Sequence, residues 1–326
     1  MMRALVILLA ATAVADAQPT ITIAYSAPDS TQWKRTEQSV VRSLARTMKH
    51  ATVNRVDNSG FIDPDEYVGE MKKGAVDIAE VPAEGLEKIE PSIAVLDLPM
   101  MFASRGEADY VAYKMWPLFV TRFAKAGYFL AARSEMSEEY FFTKRAISSV
   151  ADVRAAVFGL RTGDPLIADL MTQLAVAKTS TMILSEIGAG LRKGTIDAAY
   201  GTYLDARTWS WNDDAKQVLA MPIRYRVSAF VFALAVPTKV LPAEHKDAAA
   251  VAARSGLLLE ASIQVDQERA KKAMKLAEDA PAAELTSAFG DAAQKVWTNE
   301  VGTLYSQQDL DLVLQYRQEY RDKHAP

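Results

Sequence analysis

Ile21 to Tyr25 alternates in polarity with a period of two and reads as a short strand. A Ser-Ala-Pro-Asp-Ser loop follows, and then Trp33, Val40, Val41, Leu44 and Met48 recur at helical spacing, which predicts a helix over about Thr31 to His50. Thr52 to Val56 is the next strand. Asp63-Pro64-Asp65-Glu66 supplies an N-cap residue, a first-turn proline and an acid, the start of a second helix. A strand at Val76 to Ala79 comes after it. Strands alternating with helices predict an α/β fold with a largely parallel sheet.

One unit of this pattern occurs twice. Asp65 to Ala79 reads DEYVGEMKKGAVDIA and Ser185 to Ala199 reads SEIGAGLRKGTIDAA. Each places an amphipathic helical segment before a basic residue, Lys, Gly, two further residues, Asp and a short apolar strand. Gly74 and Gly194 fall where a helix ends most cheaply in the left-handed conformation. Two matching α/β halves would leave a cleft between them, where ligands prefer to sit. Past the shared Asp the units differ: Ile78-Ala79-Glu80-Val81-Pro82 against Ala198-Ala199-Tyr200-Gly201-Thr202.

The start of the chain bears on its compartment. Residues 1–17 contain Arg3, an apolar run from Ala4 to Val14 and the small-x-small sequence Ala15-Asp16-Ala17, which together read as a signal peptide cleaved near Ala17. The run is too short to span a bilayer, and no later segment reads as apolar for long enough. The chain is therefore expected to be exported and released, not inserted in the membrane. Cysteine is absent, so stability rests on core packing without disulfides. Loss of Arg3 and Asp16 with the signal leaves the net charge at -4, and no concentrated basic face suggests nucleic acid.

Between Gly127 and Val150 the chain changes character. Tyr128 to Ala132 and Tyr140 to Thr143 read as two strands joined by a polar segment from Arg133 to Glu139, with Glu138 and Glu139 solvated. Ala156 to Arg161 is an apolar strand ending in a cation, followed by Thr162-Gly163-Asp164-Pro165 and a helix carrying Leu166, Leu170 and Leu174. A guanidinium there either points into a cleft, where it matches the two oxygens of a carboxylate, or pairs with a nearby acid such as Asp164. Ile223 to Phe230 alternates and leads into Val231 to Val236 as a returning strand. Arg224 and Arg226 lie on its polar face, as a second anion contact or as solvated charges. From Pro242 to Asp279 helix formers dominate, with Gly256 the one glycine. An unbroken helix of that length would exceed about 45 Å and must lie along both halves.

The order Met71 to Ala79, Leu96-Asp97-Leu98-Pro99-Met100-Met101-Phe102, Thr143-Lys144-Arg145, Gly159-Leu160-Arg161 and Leu191 to Asp197 resembles the DctP family, the substrate-binding subunits of TRAP transporters. The resemblance spans nearly the whole mature chain. It implies a two-domain periplasmic binding fold with a hinge, a central cleft and a long helix bridging both domains. It also implies a receptor that closes on a small organic acid and hands it to membrane permease subunits. By this resemblance Arg161 forms the salt bridge to the ligand carboxylate. The expected division places residues 18–138 and 227–265 in domain I and residues 139–226 and 266–326 in domain II.

The chain also departs from the family pattern. A second arginine often found before the Thr-Lys-Arg run would fall near Glu138, and the usual Asp-Gly with following Glu, Asn and Pro is replaced by Asp197-Ala198-Ala199-Tyr200-Gly201-Thr202. Tyr200, Tyr203, Trp209 and Trp211 crowd this region, which favours a monocarboxylate with an apolar or aromatic body. The expected ligand-binding residues are Arg161, Tyr200, Gly201, Thr202 and Trp211, with Ser26, Trp33 and Glu80 from the first half. No cofactor or metal is expected. His50, His245 and His324 have no metal spacing and no serine sits in a nucleophile elbow, which disfavours an enzyme. A ligand sensor of the same fold, or a receptor for a largely hydrophobic ligand, is the competing reading.

Overall fold

The computed structural model describes residues 18–25, 27–57 and 66–324. The signal-like residues 1–17, Ser26 and the helix start at Asp63-Pro64-Asp65 lie outside the described residues.

The first half runs β1 (Thr20–Tyr25), α1 (Gln32–Thr47), β2 (Thr52–Asp57), α2 (Tyr67–Lys72), β3 (Ile78–Val81) and α3 (Ala83–Ile89). Then come α4 (Arg105–Lys125), β4 (Tyr128–Thr143) and α5 (Val150–Ala155). The second half repeats the first as β5 (Val157–Arg161), α6 (Pro165–Gln173), β6 (Lys178–Met182), α7 (Ile187–Lys193), β7 (Ala198–Gly201) and α8 (Tyr203–Thr208). The chain closes with β8 (Gln217–Ala233), α9 (Val236–Lys239), α10 (Pro242–Met274), β9 (Ala277–Asp279), α11 (Ala283–Asn299) and α12 (Gln307–Lys323).

The strand pairings carry the same symmetry. In the first half β1 lies between parallel β2 and β3, and in the second β5 lies between parallel β6 and β7. β3 then pairs antiparallel with the end of β8, at Ala229 to Phe232, and β7 with the end of β4, at Tyr140 to Thr143. β4 and β8 pair with each other along their length and join the halves into one sheet of order β2-β1-β3-β8-β4-β7-β5-β6.

The repeated Asp explains itself here. Asp77 Oδ2 accepts the Thr22 amide at 2.9 Å, and Asp197 Oδ2 accepts the Val157 amide at 2.9 Å. In each half a carboxylate at the start of the third strand ties down the first, a backbone bond to a charge that is stronger than a neutral one. Gly74 and Gly194 turn the chain out of the preceding helix at φ +74° and +70°, as the repeat predicts.

Two expectations change. Arg133 to Glu139 is not a loop, because β4 is one strand of sixteen residues. Its paired partner β8 satisfies the backbone of the polar stretch, with register shifts between Leu130 and Ala132, Arg133 and Glu135, and Glu139 and Phe141. The long helix stands as expected: the 33-residue α10 is unbroken at Gly256, where a side chain would overlap the Arg133 carbonyl, although it ends at Met274 and Ala277–Asp279 forms β9. One stretch of α10 is also long and apolar enough to cross a bilayer, contrary to the reading of the sequence. Its buried face, including Ala248, Ala252, Leu259, Ile263 and Asp266, instead packs on α1, β4 and α8.

Candidate functional site

β3, β5 and β7 all end at one cavity of about 100 Å³, several times the space one water needs. Glu80, Pro82 and Glu84 come from the end of β3 and the start of α3. Arg161 and Thr162 come from the end of β5, and Thr202, Leu204 and Asp205 from β7 into α8. Trp33 reaches in from α1, Glu135 from β4, Arg226 and Ser228 from β8, and Gln267 from α10. The carboxyl ends of parallel strands are where open α/β sheets bind ligands, because loops and helix starts there can converge.

Burial of Arg161 is possible because acids surround it. Its Nη2 lies 2.5 Å from Glu139 Oε1, 3.4 Å from Glu84 Oε1 and 3.7 Å from Asp164 Oδ2. Arg224 grips Asp164 with both Nη atoms, at 3.0 and 2.5 Å, and Glu139 Oε2 with Nε at 2.6 Å. Arg226 pairs with Glu84 and stands 3.6 Å from Glu139 Oε1. Burial opposes the charge on Glu139, but Arg161, Arg224 and Arg226 outweigh it and hold the carboxyl down at about 2. The same three cations, led by Arg226, overcome burial at Glu84 and keep it well below the carboxylate range.

Tyr200 stands behind this network. Its hydroxyl donates to Asp164 Oδ2 at 2.7 Å and accepts the Arg161 amide at 3.1 Å, while the Arg161 guanidinium lies 4.7 Å from its ring centroid. It therefore positions Arg161 and does not line the cavity. Two donors of Arg161, Nε and Nη1, are buried without a hydrogen-bond partner, as is Nε of Arg226. Unfilled guanidinium donors in a cavity wall can receive an anion.

Of the residues expected from sequence, the structure brings Arg161, Glu80, Trp33 and Thr202 together at the cavity. The Thr202 hydroxyl is also committed to a capping box with Asp205. Gly201 and Trp211 belong to the core: Trp211 packs on Phe142 at 5.7 Å, and a side chain at Gly201 would press on its ring. Tyr203 packs at a tilt against Tyr140 and edge-to-face with Phe142. The expected aromatic wall thus reduces to Trp33, with Pro82, Ile183, Leu184 and Leu204 as the other apolar lining. Ser26 lies outside the described residues.

Sequence reasoning missed Glu84, Glu135 and Asp205, and it read Glu139 as solvated. Glu139 is fully buried, as are Arg224 and Asp164 beside it, so these are not surface charges. Glu135, Ser137 and Glu139 alternate along β4, a period-two signal that was hidden by reading the stretch as a loop.

Two mirrored α/β units closing on a charged cavity at their strand ends define a solute-binding receptor with the two-domain periplasmic binding fold. The chain belongs to the DctP family, the bacterial extracellular solute-binding proteins of family 7, whose model matches residues 22–307. Solved structures agree in fold. DctP7, an extracytoplasmic solute receptor of Bordetella pertussis binding pyroglutamic acid, superposes with a TM-score of 0.80 at 14% identity, covering 92% of this chain and 99% of that one. A TRAP periplasmic solute-binding protein of Desulfovibrio desulfuricans with bound sn-glycerol-3-phosphate gives 0.81 at 18% identity, with 91% and 97% covered. One from Pseudomonas putida F1 with bound D-glucuronate gives 0.79 at 17% identity, with 91% and 96% covered. No curated protein matches the chain.

Proposed function

We propose that this chain is the extracytoplasmic substrate-binding subunit of a TRAP-type secondary transporter and captures a small organic acid at Arg161. The observation that carries this reading is the pair of unpartnered donors, Nε and Nη1, on a guanidinium only 5% exposed in the cavity wall. A ligand carboxylate would fill them, assisted by Arg226 Nε. The solved relatives named above hold pyroglutamic acid, D-glucuronate and sn-glycerol-3-phosphate, all anionic or acidic. The apolar lining from Pro82, Ile183, Leu184, Leu204 and Trp33 favours a monocarboxylate with an apolar body.

The rest of the reading follows the same line. Export with cleavage near Ala17 delivers the receptor to the periplasm, and permease subunits in the membrane take the ligand from it. The hinge is placed where β4 and β8 cross between the halves, near Glu138 and Val227, which divides the chain into the two domains expected from sequence. The register shifts on either side of this stretch support that placement. Domain closure then favours the bound state to the extent that the closed form holds the acid more tightly. Screening organic acids against their primary amides by thermal shift tests the reading. Acids should stabilise the protein and amides should not, whereas an amide stabilising as well as its acid would refute carboxylate capture.

A further inference from the structure

The cavity holds more acid than its arginines match. Arg161, Arg224 and Arg226 pair with Glu84, Glu139 and Asp164, three cations to three carboxylates. Glu80 and Glu135 line the same cavity, and among the described residues neither makes an ion pair within 4.0 Å. Glu135 contacts neutral hydroxyls, and Glu80 contacts the Trp33 indole and lies beside the Glu37 carboxyl. Glu80 Oε2 accepts Trp33 Nε1 at 3.2 Å, and Glu135 accepts the Ser137 and Ser228 hydroxyls at 2.5 and 2.8 Å. Glu80 is only 5% exposed, and its Oε1 is buried without a well-formed hydrogen bond, with Ser134 and Glu37 beside it.

Such an arrangement is costly in the empty protein. Burial raises both carboxyls, Glu135 to about 7, where Arg226 lowers it and Glu80 adds to the rise. A cation arriving with the ligand would relieve this, because a buried charge is tolerated when it is paired. A plain carboxylate ligand would add a further negative charge to the same space. Trp33 adds an aromatic surface, which a desolvated cation also favours.

We propose that the ligand is a small amino acid in its zwitterionic form, its carboxylate met by Arg161 and its protonated nitrogen by Glu80 and Glu135. This rests on the organic-acid reading above, and the two can fail separately. The test is calorimetric titration of the mature protein with matched probes: proline against cyclopentanecarboxylate, leucine against leucate and isocaproate, phenylalanine against phenyllactate and hydrocinnamate, and pyrrolidine alone. At least one amino acid should bind at least about tenfold more tightly than its hydroxy and des-amino partners, the value of one hydrogen bond to a charge. In the Glu80→Gln/Glu135→Gln double variant that preference should shrink to about threefold or less, with the des-amino acid still bound. A hydroxy or des-amino acid that binds the parent as tightly as its amino acid overturns the zwitterion but leaves acid capture standing. Pyrrolidine binding as tightly as proline overturns the carboxylate anchor instead, and silence from the whole panel overturns both. The comparison on the parent protein decides the matter even if the double variant does not fold.

Discussion

Arg161 and Glu139 meet at 2.5 Å, an ion pair that ties the end of β5 to the interior of β4 inside the cavity wall. Glu139 is shared, since its other oxygen holds Arg224 at 2.6 Å. One buried carboxylate thus bridges two buried cations, with Asp164 and Glu84 supplying the rest of the opposing charge.

Glu139→Gln should therefore destabilise the fold strongly. Removing one partner of a buried pair leaves uncompensated charge and costs about 3–5 kcal/mol. The pH dependence gives the sign. The Glu139 carboxyl is held down at about 2 by the arginines against its burial, so its contribution is present above the ordinary carboxylate range and is lost as pH falls toward 2. Urea unfolding at neutral pH should show the full loss, and at pH 3 a smaller one. An equal difference at both values would mean that Glu139 acts by shape alone.

Asp97 works in the opposite direction. It is buried with one oxygen accepting the Val227 amide at 3.0 Å, and burial raises its carboxyl to about 8 despite Arg224 and Arg226. Above about pH 4 the unfolded chain has released this proton and the native protein has not, so stability falls as pH rises toward 8, by up to about 1.4 kcal/mol per unit. Asp97→Asn keeps the acceptor and removes the titration. Thermal midpoints measured from pH 4 to 8 should fall less steeply in the variant, and parallel curves would place the titrating acid elsewhere.

Gly256→Ala tests how closely α10 lies on β4. The new methyl would overlap the Arg133 carbonyl oxygen, so helix and strand must part. Overpacking of this kind costs about 1–3 kcal/mol. Gly290→Ala in α11, where nothing lies within 4 Å, is the control and should be neutral or stabilising. Chemical denaturation of the two variants side by side checks the difference.

Much of the frame was legible in the sequence, because local patterns determine it. The Gly and Asp of the repeat act through their own backbone and the neighbouring strand, so Gly74, Gly194, Asp77 and Asp197 behave alike in both halves. Arg161 was legible from its place at a strand end. The site around it was not, because its acids come from elements distant in sequence and owe their burial to one another. Asp164 was legible as a possible partner of Arg161, but Glu139 looks like a surface charge alone, and only the β4–β8 pairing places it opposite Arg224. Trp211 misled for the converse reason: an aromatic next to a cleft-facing strand is more often core, and here it fills the space that Gly201 leaves.

The central claim is that Arg161 anchors the ligand carboxylate. Its most direct measurement is the dissociation constant of the tightest-binding acid for the parent and for Arg161→Ala, with the fold of the variant verified by circular dichroism. Loss of a buried, charge-paired partner weakens binding by at least about thirtyfold. A loss of that size is what this account predicts, and equal affinity in the two proteins would contradict it.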